Sequence, residues 1–102
     1  MVTKSQLVEM IDQGLRSDAY DNLPARMLPS VYGYIVEGKR PGDFLCSVIQ
    51  NDLLGAIALS DSQNLQLLPL WVRFFYNVAP SSCYGSPEKM NKWMLTRQQD
   101  RE

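Results

Sequence analysis

The chain has 102 residues, 45% apolar and 21% charged, with ten basic side chains against eleven acidic ones and no histidine. That length suits one domain with a real but modest core, and the composition suits neither a disordered nor a fibrous chain. The even charge excludes the broad basic face that displaces counterions from phosphates, and the missing histidine excludes Ser-His-Asp and Cys-His catalysis and imidazole proton relays.

The first segment carries helix-start chemistry. Thr3 followed by Gln6 fits a capping box, and Val2 with Leu7 fits the hydrophobic staple around it. Leu7, Met10, Ile11 and Leu15 recur at helical spacing, which predicts a helix over residues 4–17. The start, MVTKSQLVEMIDQ, lacks the charged-then-apolar form of a signal peptide, and no apolar run approaches the roughly 18–20 residues that span a bilayer. The expected compartment is therefore the cytoplasm, with no membrane partner. Residues 17–22 read as a loop.

In LPARMLPSVYGYIVEG, Pro24 suits a first helical turn, whereas Pro29 must either begin a helix or bend one. Val31, Tyr34 and Ile35 give its inward stripe, Gly38 a left-handed stop, and KRPG a turn. The next run, PGDFLCSVIQNDLLGAIAL, is densely apolar. Asn51-Asp52 competes for local backbone bonds, so two short helices hinged there are expected rather than one. Ser60 with Gln63 offers a second capping box, for a helix running towards Val78. It holds LLPLWVRFFYNVA, with Leu68, Trp71, Val72 and Phe75 expected on the core face and Pro69 expected to kink or restart it.

The stretch YNVAPSSCYGSPEKMNKW reads as stop-and-start machinery. Pro80 ends one helix, Gly85 permits unusual backbone angles, and Ser86, Pro87 and Glu88 supply the cap, first turn and dipole partner of the next. Met90, Trp93 and Met94 should lay that last helix back on the core. Lys89, Lys92, Arg97 and Arg101 read with Glu88, Asp100 and Glu102 as a solvated, mixed-sign face. Strand alternation and hairpin turns are missing. The expectation is an all-α single domain over residues 1–102, a bundle of five to six short helices with frayed polar ends at 1–2 and 98–102.

Chemistry-bearing constellations are weak. Two cysteines without histidine make no ordinary four-ligand zinc site, so no metal and no cofactor are expected. Cys46, in FLCSVI, reads as a small buried hydrophobe. Cys83 has no base beside it, and a catalytic role is not expected. Asp43, Asp52 and Asp61 fall where helices end, and no phosphate-binding glycine loop is present.

Some runs carry a resemblance: Pro41 to Leu45, Asn51 to Leu53, Asp61 with Asn64, Tyr76 to Pro80, Cys83 to Ser86, and Trp93. Over residues 31–95 the chain resembles small uncharacterised proteins encoded by phages, prophages and mobile elements of proteobacteria. It departs from them at Tyr84, where their pattern has Trp, and at Pro29 and Pro69, where ordinary helix formers stand. The resemblance implies a bacterial host cell and a small accessory protein that binds a host or phage protein; it implies no catalytic residue.

The functional expectation is accordingly a non-enzymatic protein-binding accessory module. Tyr32, Tyr34, Tyr76 and Tyr84, with Lys39 and Arg40, are the candidate interaction residues, aromatics being enriched at interfaces. A homodimer is the simplest partner arrangement, because LLPLWVRFF carries more apolar surface than a small bundle hides. The alternative is a small-ligand-binding or enzymatic domain with a polar pocket near Asn51, Asp52, Asn64 and Cys83. A nucleic-acid partner, using Lys39-Arg40 and the last lysines, is disfavoured by charge.

Overall fold

The computed structural model describes residues 2–100 and is all-α, with no strand among them. Six helices follow in order: α1 (Lys4–Leu15), α2 (Leu28–Glu37), α3 (Asp43–Ile49), α4 (Leu53–Leu59), α5 (Ser62–Val78) and α6 (Pro87–Gln99). Single 3₁₀ turns at Asp18–Tyr20, Ala25–Met27 and Ser81–Cys83 link them. None of the helices is long and apolar enough to cross a membrane.

Each start has an identifiable cause. Thr3 and Gln6 form the capping box on α1, which ends at Leu15, two residues short of the expected end. Pro29 stands in the first turn of α2, where its missing N–H costs nothing, so the helix begins there rather than bending. Gly38 closes α2 in the left-handed region at φ 72°. Asn51 takes φ 63° and makes the hinge that separates α3 from α4. Asp52 caps α4 by accepting from the Gly55 N–H at 3.0 Å, and Ser86 caps α6 by accepting from Lys89 at 3.1 Å.

The cap of α5 corrects the expected Ser60–Gln63 box. Asp61 accepts from the Asn64 N–H at 2.7 Å, while the Ser60 hydroxyl turns back and donates to the Ile57 carbonyl at 2.8 Å. Gln63 instead accepts from Arg26 at 2.6 Å, and the same guanidinium reaches Asp61 at 3.1 Å. Pro69 does not restart the helix: α5 runs through it. Pro69 is exposed, so water can serve the Leu65 carbonyl that its ring leaves without an N–H donor.

The core is built around α5. Leu68, Trp71, Phe74 and Phe75 are buried, whereas Val72, expected inside, is half exposed. Phe74 takes its place and meets Tyr20, Trp71 and Phe75 edge-on, with centroids 5.6, 6.3 and 5.5 Å away. Such edge-to-face pairs add about 0.5–1.5 kcal/mol each beyond area burial. The buried Trp71 indole N–H donates to Asn64 Oδ1 at 3.0 Å, one polar pair satisfying itself inside the core. At Gly14 a Cβ would stand 2.5 Å from Val78 Cγ1, so α1 crosses α5 at a distance only glycine permits there.

The last helix closes the bundle against α2. The final carbonyls of any helix lack internal partners, and here α6 side chains supply them. The Trp93 indole donates to Ile35 O at 3.1 Å, Arg97 Nε to Val36 O at 3.0 Å, and Gln98 Nε2 to Gly38 O at 2.8 Å. Met90 is fully buried, with Trp93 and Met94 packed on the core. Two expectations are corrected here. Arg97 belongs not to a solvated face but to the interior, where it also pairs with Asp100 at 2.7 Å. Residues 98 and 99 are helical rather than frayed; Met1, Arg101 and Glu102 lie outside the described residues.

Candidate functional site

The surface feature that the fold leaves unexplained lies where α3, α4 and α5 meet. Helix α4 has the sequence LLGAIAL, and of its seven residues only Ala56 is buried. Leu53 is 61% exposed and Leu54 81%, with Ile57 and Leu59 about half exposed. On α5, Leu65 and Val72 are half exposed and Tyr76 is 74% exposed. Soluble domains scatter single apolar residues on their surface, but clusters of this size mark interaction sites.

A groove runs through this face. Its first part is a shallow hollow of about 40 Å³ bordered by Ser47, Asn51, Asp52, Leu53, Ala56, Leu68, Val48 and Val72. Past Val48, Asn51 and Val72 it deepens to about 210 Å³, walled by Phe75, Tyr76, Tyr84 and Gly85. Local chemistry sets its shape. Asn51 makes the corner between α3 and α4, with the Asp52 N–H held to Ser47 O at 2.8 Å. The Gly85 N–H donates to Ile49 O at 2.8 Å, which pins the loop after α5 on the end of α3. Gly85 has φ 124°, a conformation that L side chains rarely adopt. Tyr84 then leans on Phe75, centroids 6.4 Å apart, with the Lys89 ammonium 5.8 Å from its ring.

Of the six sequence-level candidates, the structure brings Tyr76 and Tyr84 to this groove and not the others. Tyr34 is a correction: it is fully buried, and its hydroxyl donates to the Cys83 carbonyl at 2.5 Å, so it is a core pillar and not a surface anchor. Burial pushes its phenol well above the ordinary range. Tyr32 is half-buried and donates to the Asp12 carboxylate; burial and that acceptor raise it to about 12. Lys39 and Arg40 are exposed at the turn after α2, Lys39 lying 3.9 Å from Glu37.

The four polar residues of the alternative pocket do not converge. Asn51 and Asp52 border the groove, but Asn64 is buried between Trp71 and the Met27 sulfur, and Cys83 is fully buried. Burial raises the Cys83 thiol to about 12 against the lowering pull of Lys89 and a backbone hydrogen bond. Cys46 is likewise raised, by burial foremost, and its thiol faces Pro41 O at 3.3 Å. Neither sulfur offers a thiolate near neutrality, the form that nucleophilic and metal-binding cysteines require. Among the described residues no group of three or more His, Cys, Asp or Glu is placed to hold a metal ion.

A separate hollow of about 310 Å³ lies against α6, lined by Ser82, Lys89, Lys92, Trp93 and Thr96. No family model, curated protein or solved structure matches the chain. Sequence reasoning missed Val48, Val72 and α4 as surface features. A signal was present: from Leu53 to Pro87 only Asp61 and Arg73 carry charge, more apolar surface than one small domain encloses.

Proposed function

We propose that this protein is a non-enzymatic binding module that recognises another protein through the α4–α5 face. The observation behind this reading is the exposed apolar helix α4, lying beside a groove that runs from Leu53 past Val72 to Tyr76. The dimensions favour a protein over a metabolite. The deeper part, about 210 Å³, falls below the roughly 300–1,000 Å³ of small-molecule sites and suits one bulky side chain. An amphipathic helix laid in an apolar groove, read at i, i+3 and i+4 anchors, is the mode that fits. The resemblance of residues 31–95 to phage- and prophage-encoded accessory proteins supports a host or phage protein as the target and the bacterial cytoplasm as the setting.

The test is affinity capture from the native host with the intact protein as bait, beside Val72→Glu and Tyr76→Ala. A specific partner held by the parent and lost from both variants, with their thermal unfolding unchanged, is the expected result. Equal capture by all three would overturn the assignment of the face. One observation favours a second reading: Lys89 and Lys92 flank Trp93 in the hollow beside α6, a setting for a small anionic aromatic ligand. Titration with nucleotides and aromatic carboxylates, read by tryptophan fluorescence, tests it, and the lack of saturable quenching removes it.

A further inference from the structure

The exposed residues of α5 have a spacing that the binding reading leaves unused. Leu65, Pro69, Val72 and Tyr76 form its outward stripe, separated by four, three and four residues. That interval is the seam spacing of packed helices, and it reads the same in both directions. In an antiparallel pair of such helices centred between positions 69 and 72, Leu65 lies opposite Tyr76 of the second helix and Pro69 opposite Val72. A stripe of this kind is self-complementary, the condition a two-fold interface imposes.

Charge and area agree with a copy of the same chain as occupant. The stripe carries no charge from Ser62 to Val72, and Arg73 is the single charged residue within α5. The whole chain carries a formal charge of −1, so two copies repel little. Asp52 on one side of the groove and Arg73 and Lys89 on the other leave the face with charges of both signs and no dominant one for a foreign partner to read. The exposed parts of Leu53, Leu54, Ile57, Leu65, Val72 and Tyr76 offer at most roughly 700 Å², the order of the about 800 Å² per partner of a stable interface.

We propose that the α4–α5 face pairs with a second copy of this chain, α5 against α5 in antiparallel about a two-fold axis between Pro69 and Val72. The groove walled by Val72, Phe75 and Tyr76 then receives an apolar side chain of the second copy, Leu65 being the one that this register sets opposite Tyr76. This pairing rests on the protein-binding reading above and names its first partner.

Sedimentation equilibrium of the full chain from about 1 μM to 1 mM tests the pairing. The expected outcome is twice the mass of one chain at the upper concentrations, weakened at least about 100-fold by Val72→Glu, which buries an unpaired charge at the seam. Leu65→Cys/Tyr76→Cys should cross-link under mild oxidation, because the antiparallel register sets each new thiol against the other position. A strictly monomeric parent at 1 mM, a dimer indifferent to Val72→Glu, or a dimer that the double cysteine fails to link would each overturn the pairing. A monomeric parent whose capture of a host protein is still abolished by Val72→Glu would sink the pairing and leave the binding reading standing. Loss of both would sink the two together.

Discussion

Replacing Arg97 by Met isolates what the buried guanidinium contributes. Methionine keeps most of the apolar stem that packs beside Trp93, and removes the charge and its donors. Three interactions go: Nε to Val36 O at 3.0 Å, Nη2 to Asp100 Oδ2 at 2.7 Å, and the long Nη1 contact to Val2 O at 3.5 Å. Stranding the Val36 carbonyl costs about 1–3 kcal/mol, and losing the charge-assisted bond to Asp100 about 1.5–3. No longer desolvating the guanidinium returns a few kcal/mol of that. The balance is a loss of about 2–4 kcal/mol, which at roughly 4–8 °C per kcal/mol lowers Tm by about 8–32 °C. Urea and thermal unfolding followed by far-ultraviolet circular dichroism measure it. The loss should persist in about 0.5 M NaCl, since salt screens buried pairs far less than exposed ones. Arg26→Met removes the exposed pair with Asp61 and should cost under about 1 kcal/mol. Arg97→Met within about 0.5 kcal/mol of the parent would refute the account of how α6 is held.

Two glycines should respond in opposite senses. Gly38→Ala combines φ 72° with a Cβ 2.5 Å from the Met94 carbonyl, and should destabilise by more than about 2 kcal/mol. Gly42 caps α3 without a side-chain bond, and a Cβ there meets nothing within 4 Å; Gly42→Ser should stabilise by about 0.5–1 kcal/mol in the same urea titrations. The pH profile follows from buried acids. A thiol raised from 9.0 to about 12 binds its proton more tightly in the folded state. Its contribution is therefore complete below about pH 9 and lost as the pH climbs towards 12. With no histidine to titrate, stability should be flat between about pH 6 and 8 and fall above 9, and Cys83→Ala should blunt the first part of that fall. Both thiols should resist an aromatic disulfide reagent at about pH 8 until urea unfolds the chain; rapid labelling of the native protein would contradict their burial.

What the sequence disclosed was mostly local. Thr3–Gln6, Asp52, Gly38 and Ser86-Pro87 act within a turn of where they stand, so their chemistry is visible in a string of letters. The register of α5 was not, because Ser60 and Asp61 are adjacent cap candidates. In the fold Asp61 takes the cap while Ser60 bonds back to Ile57 O, and Arg26 meets Asp61 and Gln63 from far along the chain. Val72 and Phe74 could not be told apart for a related reason. LLPLWVRFF is apolar nearly all round, so periodicity names no inward face, and the aromatic contacts of Phe74 with Tyr20 decide it. Arg97 looked like one charge on a mixed face because its acceptor, Val36 O, lies 61 residues away. Tyr76 and Tyr84 were within reach of composition; the groove that joins them was not, since Asn51 and Gly85 build it through backbone angles.

Helix α4 has a consequence for dynamics. Seven residues that bury one alanine lean on α3 and α5, their start set by a left-handed asparagine and an aspartate cap. Segments with so little enclosed apolar area open by themselves, without global unfolding. Amide protons of residues 56–59 should therefore trade with deuterated solvent far faster than those of Trp71 or Phe74. Whatever settles on this face should slow that trade in α4 first, which makes the segment a built-in reporter of occupancy.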